Sequence, residues 1–307
     1  MTLAPIVLFV YNRPKHTEQT LIALMKNDLS KDSILYIYAD GPKADASEDD
    51  LKKIAEVRAL IKSQQWCGEV HIIESDRNKG LADSIVKGVT ETVDKYGKVI
   101  VVEDDIETSV GFLTYMNDAL NLHENNEKIM SVAGFMFPID SEGLPHTFCF
   151  DAGTCWGWAT WKRAWKYFDV DIERIYNRLE NENVDWRKFN ALQGTSYQEQ
   201  LMYNVRGTLK TWAVKWQAAI YLNKGTALHP RQSLVKNLGF DGSGMNCDDN
   251  EVYRNMLIAD YIKVEPLKNM YSKEAHKRLK EYFQTPTDRL YRLKRIVWRI
   301  QRAIKHK

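Results

Sequence analysis

Short unbroken apolar runs alternate with amphipathic stretches through the first third of the chain. Residues 6–11 (IVLFVY), 34–39 (ILYIYA), 70–73 (VHII) and 99–102 (VIVV) are β-branched, aromatic and aliphatic. Such runs suit strands covered on both faces, as in a parallel sheet. Between them, apolar residues recur at helical spacing. Leu21, Ile22, Leu24 and Met25 follow Pro14, a good first helical residue. Leu51, Ile54, Val57, Leu60 and Ile61 mark a helix over 49–62, and Leu81, Ile85, Val89 and Val93 mark a third. Four strand–helix alternations predict an open α/β sheet with right-handed crossovers. Further on, a helix over 112–123 and a strand over 129–133 are expected. Residues 134–153 read as loop-rich, and much of 171–209 reads as helical. Trp161 and Trp165, four apart, read as core residues of one helix.

In open α/β sheets, ligands bind beyond the carboxyl ends of the strands. Here those ends carry Asn12-Arg13, Asp40-Gly41 and Glu103-Asp104-Asp105, so these groups are expected to converge on one crevice. Three acids closing an apolar strand suit a hard divalent cation, which takes one or two carboxylates and completes its shell with substrate phosphates and water. Neither GxGxxG nor GxxxxGK[ST] occurs, which argues against a dinucleotide-binding dehydrogenase and a P-loop nucleotidase. A nucleotidyltransferase acting on sugar phosphates should carry a Gly-rich N-terminal loop, and Asn12-Arg13-Pro14 is not one.

Charge changes the picture at one end only. The 307 residues hold 43 Lys+Arg and 41 Asp+Glu, a formal net charge of +2. Residues 288–307 hold eight basic residues against the single acid Asp288; that is +7 locally and leaves −5 on the other 287. Leu290, Leu293, Ile296, Val297, Ile300 and Ile304 form an apolar stripe there, flanked by Tyr291 and Trp298. A basic amphipathic helix of this kind suits an anionic membrane surface; the alternative is docking on the acidic body. A body without a basic groove speaks against nucleic acid. The four cysteines show no CxxC spacing, and no signal-peptide pattern opens the chain, so a cytoplasmic protein lying peripherally on the inner face of the membrane is expected.

Taken in order, these segments resemble a GT-A glycosyltransferase of the N-acetylglucosaminyltransferase I family and its bacterial relatives. The likeness rests on a strand ending in Asn12-Arg13-Pro14, a strand ending in Asp40, then Asn78-Lys79-Gly80 and Glu103-Asp104-Asp105, a Glu-Asp-Asp form of the DXD motif. It continues through Trp156-Gly157-Trp158, Trp212-Ala213-Val214-Lys215-Trp216 and residues 233–240, over roughly residues 1–250. The resemblance implies a mostly parallel Rossmann-like sheet flanked by helices, with a nucleotide-sugar half at 1–110, a helical acceptor half at 111–270, and a basic tail at 271–307. It implies Asp105 on Mn²⁺ or Mg²⁺, Asp104 at the donor sugar, Glu103 at the ribose and Asp40 at uracil. Asn12, Arg13 and Lys79, with Arg77 as an alternative, would face ribose or diphosphate. The partners implied are a UDP-sugar and a glycan or lipid-linked glycan of a bacterial surface, joined by inverting transfer.

One position departs from the pattern. The family's catalytic base is the Asp of Trp-Asp-x-x-Trp, and this chain has Ala213 there. A methyl group accepts no proton. Three readings follow: an engineered inactive variant; another acid in the role, with Glu199, Asp241, Asp248 and Asp249 as candidates; or a carbohydrate-binding protein that has lost transfer. Trp156 and Trp158 are expected to stack on an acceptor sugar, because Gly157 between them permits close backbone approach. Residues 240–244 (FDGSG) read as a lid. His229 receives no role.

Overall fold

The computed structural model describes residues 2–192, 195–241 and 251–284. The first half alternates as expected: β1 Ile6–Val10, α1 Pro14–Met25, β2 Ile34–Ala39, α2 Glu48–Lys62, β3 Glu69–Glu74, α3 Leu81–Tyr96 and β4 Lys98–Glu103. The remainder comprises β5 Ile106–Thr108, α4 Phe112–Leu122, β6 Ile129–Ala133, β7 Thr147–Phe150, β8 Trp158–Trp161, α5 Lys162–Trp165, α6 Ile172–Asn181 and α7 Trp186–Phe189. It continues with α8 Tyr197–Val205, α9 Ala213–Leu222, β9 Thr226–Pro230, β10 Val235–Asn237, α10 Glu251–Arg254 and α11 Lys273–Phe283.

Eight strands form one sheet in the order β3-β2-β1-β4-β8-β6-β9-β7, with β10 and β5 paired separately. The pairs β3–β2, β2–β1 and β1–β4 are parallel, while β8 runs antiparallel between β4 and β6. This is the expected α/β class with a mostly parallel sheet and helices on both faces. β1 shows why its sequence is apolar throughout. Ile6, Leu8 and Val10 enter the core that α1, α2 and α4 cover, and Val7 and Phe9 enter the one beneath α3 and α9. The edge strand β3 keeps Glu69, His71 and Glu74 exposed, and charged, exposed positions discourage pairing with another chain.

The sheet crosses residue 110 without interruption, because β8 pairs directly with β4. Two expectations are corrected. Trp158–Trp161 is a strand, so Trp161 and Trp165 share no helix, although both are buried core residues. Residues 273–283 belong to the body and not to a tail: Phe283 of α11 meets Phe137 at 4.9 Å edge-on, and Ala275 and Leu279 are fully buried. The amphipathic stripe at 288–307 lies outside the described residues. No helix among the described residues is long and apolar enough to cross a membrane.

Candidate active site

The carboxyl ends of β1, β2 and β4 lie side by side because the strands are parallel neighbours. Arg13, at the turn into α1, reaches across to the residues after β4. Its Nη1 donates to Asp105 Oδ2 at 2.7 Å and lies 3.7 Å from Asp104 Oδ1. These side chains are mostly enclosed, at 20% exposure for Arg13, 14% for Asp104 and 15% for Asp105. The acids outnumber the cation. Burial, then the charge of Asp105, pushes the Asp104 carboxyl up to about 7, against the pull of Arg13. Burial, then Asp105 and Asp104, likewise raises Glu103 well above the carboxylate range. For Arg13 burial works against the charge, but Asp104 and Asp105 outweigh it and hold the guanidinium protonated.

A second segment closes over this cluster. β10 pairs antiparallel with β5, setting Asn237 opposite Ile106. The chain then turns tightly through Leu238–Asp241. The Leu238 N–H donates to the Asp105 carbonyl at 2.7 Å, and the Gly239 N–H donates to Asn237 Oδ1 at 2.8 Å. A Cβ on Gly239 would sit 2.5 Å from Asp105 Oδ2 and 3.3 Å from Arg13 Nη2, so any side chain there would push the Asp105 carboxylate and Arg13 out of their present contact. Asp241 Oδ2 lies 3.1 Å from His16 Nε2 on α1. Residues 242–250, which hold the rest of the expected lid and the candidate bases Asp248 and Asp249, lie outside the described residues.

The donor set fits Mn²⁺ or Mg²⁺. Asp104 and Asp105 offer hard oxygens, and the Arg13 guanidinium stands against both. Among the described residues no group of three or more His, Cys, Asp or Glu could enclose an ion. A cation here would have to draw part of its shell from substrate oxygens and water.

Other expected site residues fall differently. Asp40 sits at the end of β2, but its carboxylate accepts from the Gly41 and Lys79 N–H groups on Oδ1 (2.9 Å each) and from the Gly80 N–H (2.9 Å) and Asn78 Nδ2 (3.0 Å) on Oδ2. Four bonds use the acceptor capacity of a carboxylate, so Asp40 pins the turn into α3 and has no lone pair left for a uracil. Asn12 donates to Asp50 Oδ1 at 2.8 Å, which ties it to the first turn of α2. Lys79 and Arg77 are exposed on the β3–α3 turn.

Trp158 is not a surface platform. It is fully buried, stacks on Trp212 at 5.1 Å, and lies 5.9 Å from both Trp165 and Trp216. Trp156 is half-buried against Phe135, Phe240 and Tyr253. The close approach at Gly157 is to the chain itself: a Cβ there would meet Val235 at 2.9 Å and Phe112 at 3.1 Å. Ala213 is the first residue of α9, between the buried Trp212 and Trp216, and that first turn holds no acid. Glu199 lies elsewhere, on α8, accepting from the Tyr203 hydroxyl at 3.1 Å. His229 bridges the carbonyls of Phe135 (3.1 Å) and Ala152 (2.9 Å) inside the core.

Sequence reading missed His16, since a lone histidine three residues after Arg13 carries no signal of its own. It also missed Asn237, which orients Gly239.

No family model matches the chain, and no curated protein matches it. Solved structures do show likeness. The mannosyltransferase PcManGT from Pyrobaculum calidifontis, in complex with GDP-Man and Mn²⁺, is 9% identical, with a TM-score of 0.42 over 72% of this chain and 68% of its own. Mouse xyloside xylosyltransferase 1, in its apo form, is 11% identical, with a TM-score of 0.36 over 67% and 83%. A UDP-glucose pyrophosphorylase complexed with UDP-glucose is 8% identical, with a TM-score of 0.34 over 74% and 90%. Likenesses of this size carry no functional step; the chemistry comes from this chain's own residues.

Proposed function

We propose that the chain binds a nucleotide diphosphate sugar with a divalent cation and transfers the sugar to a hydroxyl acceptor. The observation that carries this reading is the Arg13–Asp105–Asp104 cluster at the ends of parallel strands, with the Gly239 backbone laid against Asp105. Asp105, with Asp104 beside it, would hold Mn²⁺ or Mg²⁺, and the ion would supply charge stabilisation to the departing diphosphate. Arg13 holds Asp105 in place and adds a fixed positive charge on the leaving-group side. The half-buried Glu103 extends the acidic edge toward the ribose. Asp40 shapes the loop that carries Lys79, whose exposed ammonium can meet phosphate. Uracil over guanine then has no support from Asp40, and UDP is the donor nucleotide by resemblance only.

In the transfer, the acceptor oxygen attacks the anomeric carbon as the bond to the diphosphate oxygen breaks, with its electron pair leaving on the diphosphate. The hydroxyl proton needs an acceptor, and an attack from the opposite face inverts the anomeric centre. Ala213 cannot take that proton. Of the acids described, Asp241 shares the turn that holds Gly239, which makes it a better substitute than Glu199 on α8. Loss of a general base costs about 10²–10⁴-fold in rate, so binding survives it. Ala213 also supports a second reading, a donor-binding protein that no longer transfers.

The separating experiment is a donor-turnover assay on Ala213→Asp. A rate at least about a hundredfold above the parent chain supports the transferase. No turnover in either chain, with any acceptor or with water, supports the silent binder. The acceptor reading, a bacterial surface glycan carried on lipid, rests on the basic stripe at 288–307. Co-sedimentation with anionic vesicles, lost on deleting 288–307, tests that membrane role.

A further inference from the structure

We propose that a cleft on the outer face of α8 binds a sugar unit of the acceptor; this rests on the transferase reading above and extends it to a place where the acceptor is held. The cleft has a volume of about 350 Å³ and is lined by Asn190, Gln198, Glu199, Met202, Tyr203 and Arg206. That volume falls at the small end of ligand sites, which run to about 300–1,000 Å³. Glu199, Met202, Tyr203 and Arg206 stand at i, i+3, i+4 and i+7, so they form one stripe along α8. The opposite stripe, Tyr197, Leu201 and Asn204, is buried.

The lining has the composition that sugars require. The half-buried Tyr203 ring and the Met202 thioether offer apolar surface to C–H faces. Asn190, Gln198 and Glu199 line it with amide and carboxylate groups, Asn190 bonded to Gln198 and Glu199 to the Tyr203 hydroxyl. Arg206 is exposed, and no carboxylate pairs with it among the described residues, so it can receive an acidic substituent.

Two further observations make this a built site. After Asn190, which lines the cleft, the chain turns into the core through Ala191 at φ 47° and Leu192 at φ 60°, successive left-handed residues that are not glycine. Each such residue costs on the order of 1–3 kcal/mol, and such strain gathers at ligand sites. The strained turn is held in place, because the Gln198 N–H donates to Asn190 Oδ1 at 2.8 Å. The second is registry with α9 and the 153–156 turn. At the start of α8 the Tyr197 hydroxyl donates to the Gly153 carbonyl at 3.2 Å, and the Gly153 N–H donates to Gln217 of α9 at 2.7 Å. At its end, Asn204 Oδ1 accepts from the Thr211 N–H and Asn204 Nδ2 donates to Thr211 Oγ1, both at 2.9 Å. Thr211 leads directly into Trp212 and Ala213. The cleft is thereby fixed to the first turn of α9 at one end and to the 153–156 turn at the other.

The test is saturation-transfer NMR on the full chain with four probes: chitotetraose, cellotetraose, maltotetraose and a hyaluronan tetrasaccharide. At least one should receive saturation, falling at least fivefold in both Tyr203→Ala and Arg206→Ala. Circular dichroism and a titration with a nucleotide diphosphate and Mn²⁺ accompany each variant, to separate local loss from unfolding. Unchanged saturation in both variants overturns the proposal, and so does silence from all four probes in a chain that binds the nucleotide. Saccharide binding lost in the variants, in a chain that binds no nucleotide, upholds the cleft and sinks the donor reading instead.

Discussion

At residue scale, Gly239 is the most exposed to test. The Cβ of Gly239→Ala would press on Asp105 Oδ2 and Arg13, so this variant should weaken Mn²⁺-dependent nucleotide binding at least tenfold while melting within a few degrees of the parent. Asp104 supplies a pH dependence. Its carboxyl rises from 3.8 to about 7 in the folded chain, which therefore keeps a proton that the unfolded chain has already released. That contribution to stability is present at low pH and is lost as pH climbs through about 7. A dication would replace the proton, so at pH 8 Mn²⁺ should raise the melting temperature of the parent and not of Asp105→Asn. Trp158→Ala should cost about 3–5 kcal/mol, as expected for a large core residue. A surface platform would lose almost nothing, so a chemical-denaturation curve separates the two roles.

At element scale, α/β alternation and the ends of β1, β2 and β4 were legible because buried parallel strands write themselves as unbroken apolar runs. β7, β8 and β9 were not, since WATW and TALHP carry no period that separates strand from helix in so few residues. The same ambiguity set Trp158 on the surface. Asp40 was placed correctly and given the wrong work, because a sequence shows a carboxylate but not the four donors that converge on it. His229 on β9 carries an opposite pH signature. Burial drops its ring from 6.5 to about 4 against two carbonyls that favour the proton. The unfolded chain takes up that proton first as pH falls from 6.5 to about 4, so stability declines over this range, by about 3 kcal/mol for a full shift of this size. Asp104 offsets part of it in the same window. The difference between the parent and His229→Gln, measured by urea titration from pH 7 to 4.5, should isolate the histidine slope.

At the scale of the molecule, one continuous sheet joins the acidic crevice to the α8–α9 layer, so the proposed donor and acceptor ends share one frame. The acid cluster, Arg13 and the 233–240 segment were legible as chemistry. The cleft on α8 was not, because its lining comes from one stripe of a charged helix and a strained turn. The central claim is a metal-dependent nucleotide diphosphate site at Asp104 and Asp105. Calorimetric titration of UDP and of GDP into the chain, with and without Mn²⁺, tests it most directly. The account predicts saturable binding of at least one nucleotide that requires Mn²⁺ and vanishes in Asp105→Asn. Absence of binding by both nucleotides in the presence of Mn²⁺, or binding indifferent to the metal and to Asp105, would contradict it.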